Sequence, residues 1–325
     1  MSFKIAIIGS GYMAEQHIIA FQSNTQCEVV GITSRNEATA LDLAQRYGID
    51  RVEKNIPDLF KNSQANGVLV AVNEPSAIGV VTQCMAYSWK ILTEKPLGLF
   101  VQDTKLLAAD AKKKDIDVFV AMNRRHYAST RKAIEFLDND QGERFVSVID
   151  QENITGALKS GQPREVVERW MVANSIHLID YFSIFCRGRI INITRPVQWD
   201  NRDPFVIQAV LSFDSGDKGA YTAVWDAPGP WSVSITTRKQ MLEMRPLEEL
   251  NYQKFPEKFK KPVDLGTIDR DYKAGLAQQT AEFIASMSAK KHNLPSLSEY
   301  IITHELVEQI YPTGLDLSYR LDCNA

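Results

Sequence analysis

The chain has 325 residues, of which 44% are hydrophobic and 24% charged, as is typical of a soluble globular protein. This length is enough for two domains of roughly 150 residues each. The formal net charge of -3 argues against nucleic acid or an anionic membrane as a partner, because both attract a basic surface. No apolar run approaches the roughly 20 residues of a membrane span.

The four cysteines are scattered, without a CxxC pair or the spacing of a metal site: Cys27, Cys84, Cys186 and Cys323. The first three lie in apolar or helical contexts, which predicts buried thiols in a reducing compartment. The apolar run at residues 5–8 is too short for the core of a signal peptide, and a glycine turn follows it at once. We therefore expect a cytoplasmic protein without a metal site.

A glycine-rich turn follows the first predicted strand, Lys4 to Ile8. The turn is Gly9-Ser10-Gly11-Tyr12-Met13-Ala14, the G-x-G-x-x-A form of the dinucleotide-binding fingerprint, and it opens a helix. Glycines let the backbone approach a pyrophosphate, whose charge then lies at the helix N-terminus. A plain tight turn is the alternative, but the position between a strand and a helix favours dinucleotide binding. Gly9, Ser10, Gly11, Tyr12 and Met13 are accordingly expected to contact the cofactor.

The second predicted strand, Glu28 to Thr33, is followed by Ser34 and Arg35. NAD-binding proteins place an acid about 20 residues past the glycines, where it binds the adenosine ribose hydroxyls. A hydroxyl and a guanidinium at this place favour a 2′-phosphate, and hence NADP over NAD. The alternative is that Ser34-x-x-Glu37 is only the capping box of the next helix. Both interpretations are compatible, because capping uses Ser34 and leaves Arg35 available.

Three more buried strands are predicted in the first half, each with polar residues after it. They are Gly67 to Val72, Ile91 to Thr93 and Val118 to Met122, with helices from about Ser76 to Tyr87 and from Gln102 to Lys114 between them. Alternating strands and helices with short connections predict an α/β fold with a doubly wound parallel sheet, the Rossmann arrangement, in residues 1–122. Ligands bind at the carboxyl ends of such strands. Asn73, Glu94, Lys95 and Asn123 are therefore expected along one rim with the glycine turn.

From residue 123 onward the pattern changes to β-rich segments, after a helix at about Ser129 to Asp138. The predicted strands are Glu143 to Asn153, Ile190 to Gln198, Phe205 to Asp214, Gly219 to Asp226, Trp231 to Arg238 and Met241 to Arg245. They predict a second, α+β domain in residues 123–325, with an open, mostly antiparallel sheet. An apolar helix is predicted at Val172 to Cys186, and Pro246 to Leu265 is predicted to be a surface loop. Helices at Leu276 to Met287 and Ser298 to Ile310 close the chain and are candidates for packing back on the first domain.

Two residues stand out as candidates for chemistry. A proline bars the α conformation for the residue before it, so Lys95 in Glu94-Lys95-Pro96 is expected to lie extended, with its ammonium directed away from the strand end. His177 lies in the apolar helix, and Asp180, one turn further on, is a candidate to orient its imidazole. Taken alone, His177 is more often a core histidine whose hydrogen bonds are satisfied.

Four motifs together resemble the glucose-fructose oxidoreductase / inositol dehydrogenase (Gfo/Idh/MocA) family. In order and spacing they are Gly9-x-Gly11-x-x-Ala14, Glu94-Lys95-Pro96-Leu97, Asn123-Arg124-Arg125 and His177-Leu178-Ile179-Asp180. The resemblance covers most of the chain, and Tyr272 to Met287 is similar to the family's tyrosine-led helix. It implies a Rossmann domain and a second domain whose open sheet commonly forms the oligomer interface. It also implies oxidation or reduction of sugars, inositols or nucleotide sugars with NAD or NADP, and often a cis bond between the motif's lysine and proline.

By this resemblance Lys95 and His177 are the catalytic residues. A histidine takes the hydroxyl proton during hydride transfer to nicotinamide, and a nearby ammonium stabilises alkoxide character. Glu94 is expected to bind the nicotinamide side or to hold Lys95. Trp170 is expected either to stack on nicotinamide or a sugar, or to be a core tryptophan.

Two positions near the expected substrate site differ from the pattern of the family. Many members have an aspartate four residues before the histidine, where this chain has Ala173; the adjacent Asn174 can hydrogen-bond a substrate hydroxyl but carries no charge. Members also often have a histidine shortly after the third strand, where this chain has Ala77-Ile78. Arg124 and Arg125 are candidates to bind an anionic substrate, and one of them is expected to be structural.

The sequence therefore predicts a cytoplasmic NADP-dependent oxidoreductase, with NAD as the possible alternative cofactor. The expected reaction transfers a hydride between nicotinamide and a hydroxyl or carbonyl carbon of a sugar, a sugar derivative or a nucleotide sugar. Lys95, Arg124, Asn174 and His177 are the expected substrate contacts, and a homodimer or homotetramer through the C-terminal sheet is the expected assembly. The alternative is a catalytically impaired NAD(P)-binding sensor or regulatory protein, which the absence of a carboxylate at Ala173 suggests.

Overall fold

The structure is a computed structural model that describes residues 2–288 and 290–318. The described chain forms two compact units, residues 2–126 with 267–301 and residues 127–266 with 302–318. None of the helices in these ranges combines the length and apolarity needed to cross a membrane.

The first half of the chain alternates strands and helices up to a single 3-10 turn at Asn123–His126. Its elements are β1 (Phe3–Ile8), α1 (Tyr12–Gln22), β2 (Cys27–Thr33), α2 (Glu37–Tyr47), β3 (Val52–Glu53), α3 (Ile56–Ser63), β4 (Gly67–Val70), α4 (Glu74–Cys84), β5 (Lys90–Glu94), α5 (Val101–Lys114) and β6 (Val118–Ala121).

The rest of the chain contains a second sheet and its helices. Its elements are α6 (Ala128–Leu137), β7 (Phe145–Glu152), α7 (Ile154–Lys159), α8 (Arg164–Glu168), a π-helix (Met171–Ser175), α9 (Ile176–Phe185), β8 (Ile190–Val197), β9 (Val206–Phe213), β10 (Lys218–Trp225), β11 (Ser232–Thr236), β12 (Gln240–Met244), β13 (Asn251–Lys254), β14 (Lys261–Pro262), α10 (Ile268–Asp271), α11 (Leu276–Met287) and α12 (Leu297–Ile310).

The first unit is built on a six-stranded sheet in the order β3-β2-β1-β4-β5-β6, and every pair of neighbours is parallel. β4 and β6 are buried along their whole length, as expected for strands covered by helices on both faces. α11 belongs to this unit and packs on α1, where the rings of Phe21 and Phe283 meet edge-on at 6.2 Å. The predicted doubly wound parallel sheet is confirmed, and its strands all end at one edge.

β3 and α3 did not appear in the prediction. β3 has two residues, too few to show any periodicity. α3 does carry start signals that were overlooked, because Asn55 caps it by accepting from the Asp58 N–H at 2.8 Å and Pro57 lies in its first turn.

The second unit is built on an eight-stranded sheet in the order β14-β13-β12-β11-β7-β10-β9-β8. Its pairs are antiparallel, except that β7 lies parallel to β10. Burial alternates along both of these strands, because one face of the sheet packs on helices such as α9 and the other does not. The predicted open, mostly antiparallel sheet is confirmed.

Two predictions in this half need correction. Pro246 to Leu265 is not only a loop, because it contains β13 and the edge strand β14; with four and two residues, both are too short to show a strand pattern. The helix predicted at Val172 to Cys186 is a π-helix over Met171–Ser175 followed by α9. Hydrophobic periodicity does not distinguish one wide turn from an α-turn.

Three cysteines are buried free thiols, as predicted: Cys27, Cys84 and Cys186. Burial raises their pKa values to about 11, about 12 and about 12, so they stay protonated at neutral pH. Cys323 lies outside the described residues.

Candidate functional site

The glycine turn after β1 leaves room for a ligand on one side only. Gly9 has φ +116°, and a Cβ there would overlap the carbonyl oxygen of Ala71 at the end of β4. Gly11 has nothing within 4 Å of the place where its Cβ would be. The first glycine therefore lets the two strand ends approach each other, and the second leaves open space above the start of α1.

The N-terminus of α1 is suited to an anion. Gly11 occupies the N-cap and supplies no side-chain oxygen, so the backbone N–H groups of Tyr12 and Met13 have no cap bond. Lys273 lies nearby, with Nζ 5.3 Å from the centre of the exposed Tyr12 ring. Sequence reasoning missed Lys273, because 260 residues of chain separate it from the motif. These residues fit the pyrophosphate of a dinucleotide.

A cluster of three hydroxyls lies beyond the end of β2. Ser10 Oγ donates to Ser34 Oγ at 2.8 Å and lies 2.5 Å from Thr39 Oγ1. The exposed Arg35 donates from Nη2 to Asn73 Oδ1 at 3.1 Å. Hydroxyls and a guanidinium are groups that bind phosphate oxygens.

The capping-box interpretation of Ser34 is wrong. The N-cap of α2 is Asn36, whose side chain accepts from the Thr39 N–H at 3.3 Å. Ser34 instead bonds to Ser10 in the glycine turn. Asn and Ser are equally good caps, so the choice between two neighbouring candidates was not visible in the sequence.

Glu94, at the end of β5, holds Lys95 through the main chain. Its Oε2 accepts from the Lys95 N–H at 3.2 Å, and its Oε1 lies 2.6 Å from Nε2 of the fully buried His17 on α1. The Lys95–Pro96 bond is cis, as the resemblance implied. Glu94 thus contacts the main chain of Lys95 and the ring of His17, and its expected contact with nicotinamide stays a prediction.

The residues that follow Lys95 are fixed as well. The Leu97 N–H donates to Tyr300 Oη at 3.1 Å, and the Leu97 carbonyl accepts from Thr104 Oγ1 at 2.6 Å. The main chain on both sides of Lys95 is therefore bonded to buried side chains. His17 was not singled out from the sequence, although it follows the fingerprint by one helical turn.

The polar residues after β6 bond within the first unit. Asn123 Nδ2 donates to the Ala274 carbonyl at 3.0 Å, so its amide nitrogen is engaged by the segment before α11. Arg125 lies 3.5 Å from Glu299, and Arg124 is buried. Arg125 thus has an ion pair inside this unit.

The second unit carries Asn174 and His177 on one short stretch. Within residues 171–180 Asn174 is the one residue that is not buried, and His177 is 7% exposed. Ala173, where many family members have aspartate, is buried. Asp180 Oδ1 accepts from Thr303 Oγ1 at 2.7 Å, so a residue of α12 engages it.

A fully buried carboxyl group, Glu152 at the end of β7, lies against this stretch. Its Oε2 accepts from Trp170 Nε1 at 2.7 Å and from Asn174 Nδ2 at 2.8 Å, and its Oε1 accepts from Ser175 Oγ at 2.7 Å. Burial raises the pKa of Glu152 well above its usual range, and the neighbouring charge of Asp150 adds to the shift. Trp170, expected to stack or to fill the core, is half-buried with its indole N–H on this carboxyl.

Asp150 continues the buried polar network along β7. Its Oδ2 accepts from Tyr221 Oη at 2.7 Å, and Tyr221 Oη lies 2.9 Å from Tyr311 Oη. Burial, with the charge of Asp150 next in importance, raises the pKa values of both tyrosines well above their ordinary range. In the parts of the chain that the structure describes, no cluster of His, Cys, Asp or Glu suits a metal ion.

Comparison with known proteins agrees with this arrangement. Residues 3–122 match the model of an oxidoreductase family with an NAD-binding Rossmann fold. The N-terminal domain belongs to the Gfo/Idh/MocA oxidoreductase family. The matched residues include the glycine turn, the end of β2 and the Glu94-Lys95-Pro96 motif.

Relatives of known name match about two fifths of the chain. Oxidoreductase P35 of Formosa agariphila is 28% identical over 135 residues, 41% of this chain and 42% of the relative. Myo-inositol 2-dehydrogenase of Thermotoga maritima is 23% identical over 136 residues, 42% of this chain and 41% of the relative. The chain thus aligns with about two fifths of the length of these relatives.

Likeness in fold extends further than likeness in sequence. A crystal structure of a dehydrogenase from Chromobacterium violaceum superposes with a TM-score of 0.83 and covers 95% of this chain and 94% of its own, at 17% identity. The fold of this chain is therefore shared with that dehydrogenase over most of the length of both, whereas the match to the family model covers residues 3–122.

Proposed function

We propose that the protein is an NADP-dependent oxidoreductase that acts on a hydroxyl or carbonyl carbon of a sugar, a sugar derivative or a nucleotide sugar. The observation that carries the proposal is the fixed main chain of Lys95, which Glu94 holds at the carboxyl end of β5. Ligands bind at this edge of a doubly wound sheet. The family of the N-terminal domain, with its NAD-binding fold, supports the same assignment.

In the proposed reaction Lys95 and His177 both act on the hydroxyl group of the substrate. When the carbinol carbon gives its hydride to nicotinamide, His177 takes the hydroxyl proton and the Lys95 ammonium stabilises the developing alkoxide. In the reverse direction the same groups return the proton to the carbonyl oxygen. The name of the relative from Thermotoga maritima, a myo-inositol dehydrogenase, supports a polyol or sugar as substrate. Arg124 is proposed to favour substrates that carry an anionic group.

NADP is the proposed cofactor rather than NAD. Ser10, Ser34 and Thr39 bring three hydroxyls together, and Arg35 lies on the same side of the sheet at the end of β2. An acid at this place would repel a 2′-phosphate, and the residues directly after β2 carry none. The pyrophosphate is proposed to lie on the N-terminus of α1.

The proposed assembly is a homodimer or homotetramer through the C-terminal sheet, in the cytoplasm. The face of the sheet away from α9 exposes large apolar side chains, among them Phe145 at 47% and Val210 at 38%. Exposed apolar surface of this kind is typical of an interface. The buried free thiols support a reducing compartment.

The test is a turnover assay with both reduced cofactors. The protein is mixed with NADPH or NADH and a panel of ketosugars, and the absorbance of the reduced nicotinamide is followed. Oxidation of NADPH that requires one of the sugars is the expected result. Tight NADPH binding without turnover on any sugar would favour a sensor instead, a possibility raised by Ala173. Full activity in both Lys95→Ala and His177→Ala would show that the catalytic assignment is wrong.

A further inference from the structure

Glu152 lies beneath the π-helix that precedes the His177 helix, and it bonds to residues on both sides of the π-turn. We propose that Glu152 is a positioning residue that fixes the side-chain amide of Asn174, so that Asn174 offers its carbonyl oxygen to a hydroxyl of the substrate. The proposal rests on the proposed function, because it assigns a group that recognises the substrate.

The direction of the Asn174 hydrogen bond follows from its neighbour Trp170. An indole N–H can only donate, so the Glu152 oxygen that it contacts, Oε2, must be an acceptor. Asn174 contacts the same oxygen at 2.8 Å and must therefore present its NH2 group to it. Because an unprotonated Oε2 can only accept, the argument holds for the carboxylate and for a carboxyl group whose proton lies on Oε1.

The oxygen of the Asn174 amide is then left for a ligand. No donor among the described residues contacts Asn174 Oδ1, and Asn174 is the residue of this stretch that is not buried. His177 follows three positions later, in the first turn of α9. The amide that the proposal orients and the proposed catalytic imidazole thus belong to the same short stretch of chain.

The π-turn itself depends on the same carboxyl group. Trp170 stands at its N-cap, Asn174 and Ser175 are its last two residues, and all three donate to Glu152. A π-turn loses regular α-helical bonds and is often found at functional sites. Three bonds to a fully buried carboxyl compensate for that loss and hold Asn174 in one orientation.

The orientation of the Asn174 amide determines which kind of substrate group can bind to it. A neutral carbonyl oxygen accepts from a hydroxyl, and Ala173 offers no charge in its place. We therefore infer that the substrate group bound by Asn174 is a hydroxyl. A site that accepts from this hydroxyl discriminates against the deoxy analogue, which lacks the donor and leaves the amide oxygen without that hydrogen bond.

The first test needs no substrate. Nitrogen-15 NMR of the whole protein follows the side-chain amide of Asn174 and the indole N–H of Trp170, assigned with Asn174→Ala and Trp170→Phe. Glu152→Met, which removes the acceptor, should shift both signals and speed the hydrogen exchange of the amide. Glu152→Gln should preserve both, because its oxygen can replace Oε2 while its NH2 donates to Ser175. An Asn174 signal that is the same in Glu152→Met and the wild type would overturn the proposal.

The second test uses the sugar found by the turnover assay and a double-mutant cycle. Glu152→Met is expected to raise KM roughly tenfold in the wild-type background and to have almost no further effect in Asn174→Ala, while Glu152→Gln restores the wild-type KM. The deoxy analogue should be insensitive to all three changes. A merely structural role would lower activity equally in both backgrounds, and that result would overturn the proposal.

Two controls keep the outcomes separate. If Glu152→Met does not fold, Glu152→Asp takes its place, because it keeps the charge and withdraws the carboxyl from Asn174 by one methylene. Ser175→Ala removes only the bond to Oε1 and keeps both bonds to Oε2, so it should raise KM less than Glu152→Met does. If no sugar is turned over, the proposed function fails while the NMR result still decides the role of Glu152.

Discussion

Two buried glutamates, one in each unit, hold candidate site residues by different means. Glu94 accepts from the main-chain N–H of Lys95 and lies against the His17 ring. The carboxyl group of Glu152 accepts from side chains, those of residues 170, 174 and 175. Glu94 therefore fixes where a residue is, whatever its side chain, whereas Glu152 fixes the direction in which an amide makes its hydrogen bonds.

The difference determines how each region should respond to substitution. At Glu94 the side chain of Lys95 can be replaced without disturbing its support, so the loss should be chemical. At Glu152 the support and the supported group are both side chains, so each replacement also leaves a buried polar partner unsatisfied.

The largest effect is expected from Lys95→Met. The main chain stays bonded to Glu94, but the charge that stabilises the alkoxide is lost, so kcat should fall by roughly 10²–10⁴. Steady-state kinetics with the sugar found by the turnover assay measures this. Lys90→Met, at the other end of β5, removes a surface pair with Asp117 and should leave kcat unchanged. Equal kcat values in the two variants would mean that Glu94 supports no catalytic group.

The next effect concerns the buried pair of His17 and Glu94. Among the described residues His17 Nδ1 has no partner, so Nε2 makes the one hydrogen bond of the ring. His17→Leu leaves Glu94 Oε1 buried without that partner and should lower the free energy of unfolding by about 3 kcal/mol.

Urea unfolding of a double variant tests whether the side chains of His17 and Glu94 stabilise each other. His17→Leu with Glu94→Gln should be more stable than His17→Leu alone, because no charge then remains buried beside the leucine. A double variant that loses the sum of both single effects would show that the two side chains are not coupled.

The stability of the second unit is expected to fall in acid, because a buried histidine titrates there. Burial, together with the Arg169 charge, lowers the pKa of His304 to about 4 from an ordinary 6.5. The neutral imidazole thus contributes stability that is fully present above about pH 6.5 and is lost as the pH falls toward 4, in total roughly 3 kcal/mol. His304→Leu should flatten the fall of unfolding free energy over this range.

Glu152 is expected to show the opposite pH dependence of stability in the same experiment. Its pKa is raised, so its contribution is present below an ordinary 4.5 and is lost as the pH rises through the folded value. Glu152→Gln should therefore gain stability relative to the wild type as the pH rises, opposite in sign to the effect of His304. Parallel shifts in the two variants would contradict both assignments.

The contrast between the glutamates also explains what the sequence could predict. The bounds of α11 came out as predicted, and the rim of polar residues followed from parallel strands, because periodicity and turn residues are local signals. The partner of Glu94 was missed, since His17 and Glu94 are 77 residues apart and only the packing of α1 on the sheet joins them.

Glu152 carried no signal at all. It ends a strand of alternating burial, and nothing in that pattern marks one inward carboxyl as the acceptor for three residues 18 to 23 positions later. The π-turn that these bonds hold was likewise predicted as ordinary helix. Motifs predict geometry that the local backbone determines, as at Gly9. They do not predict geometry that depends on side chains distant in the sequence.

The smallest effect tests the cofactor end of the first region, which holds its proposed ligand with hydroxyls and a cation rather than a carboxylate. Arg35→Ala removes the guanidinium proposed to pair with the 2′-phosphate, so KM for NADPH should rise roughly tenfold to a hundredfold while KM for NADH stays unchanged. Arg46→Ala, at the far end of α2 where the side chain pairs with Glu15 and Asp42, should change neither value. Equal weakening of both cofactors by Arg35→Ala would assign Arg35 to the support of Asn73 and leave the hydroxyls of Ser10, Ser34 and Thr39 to bind an unphosphorylated ribose.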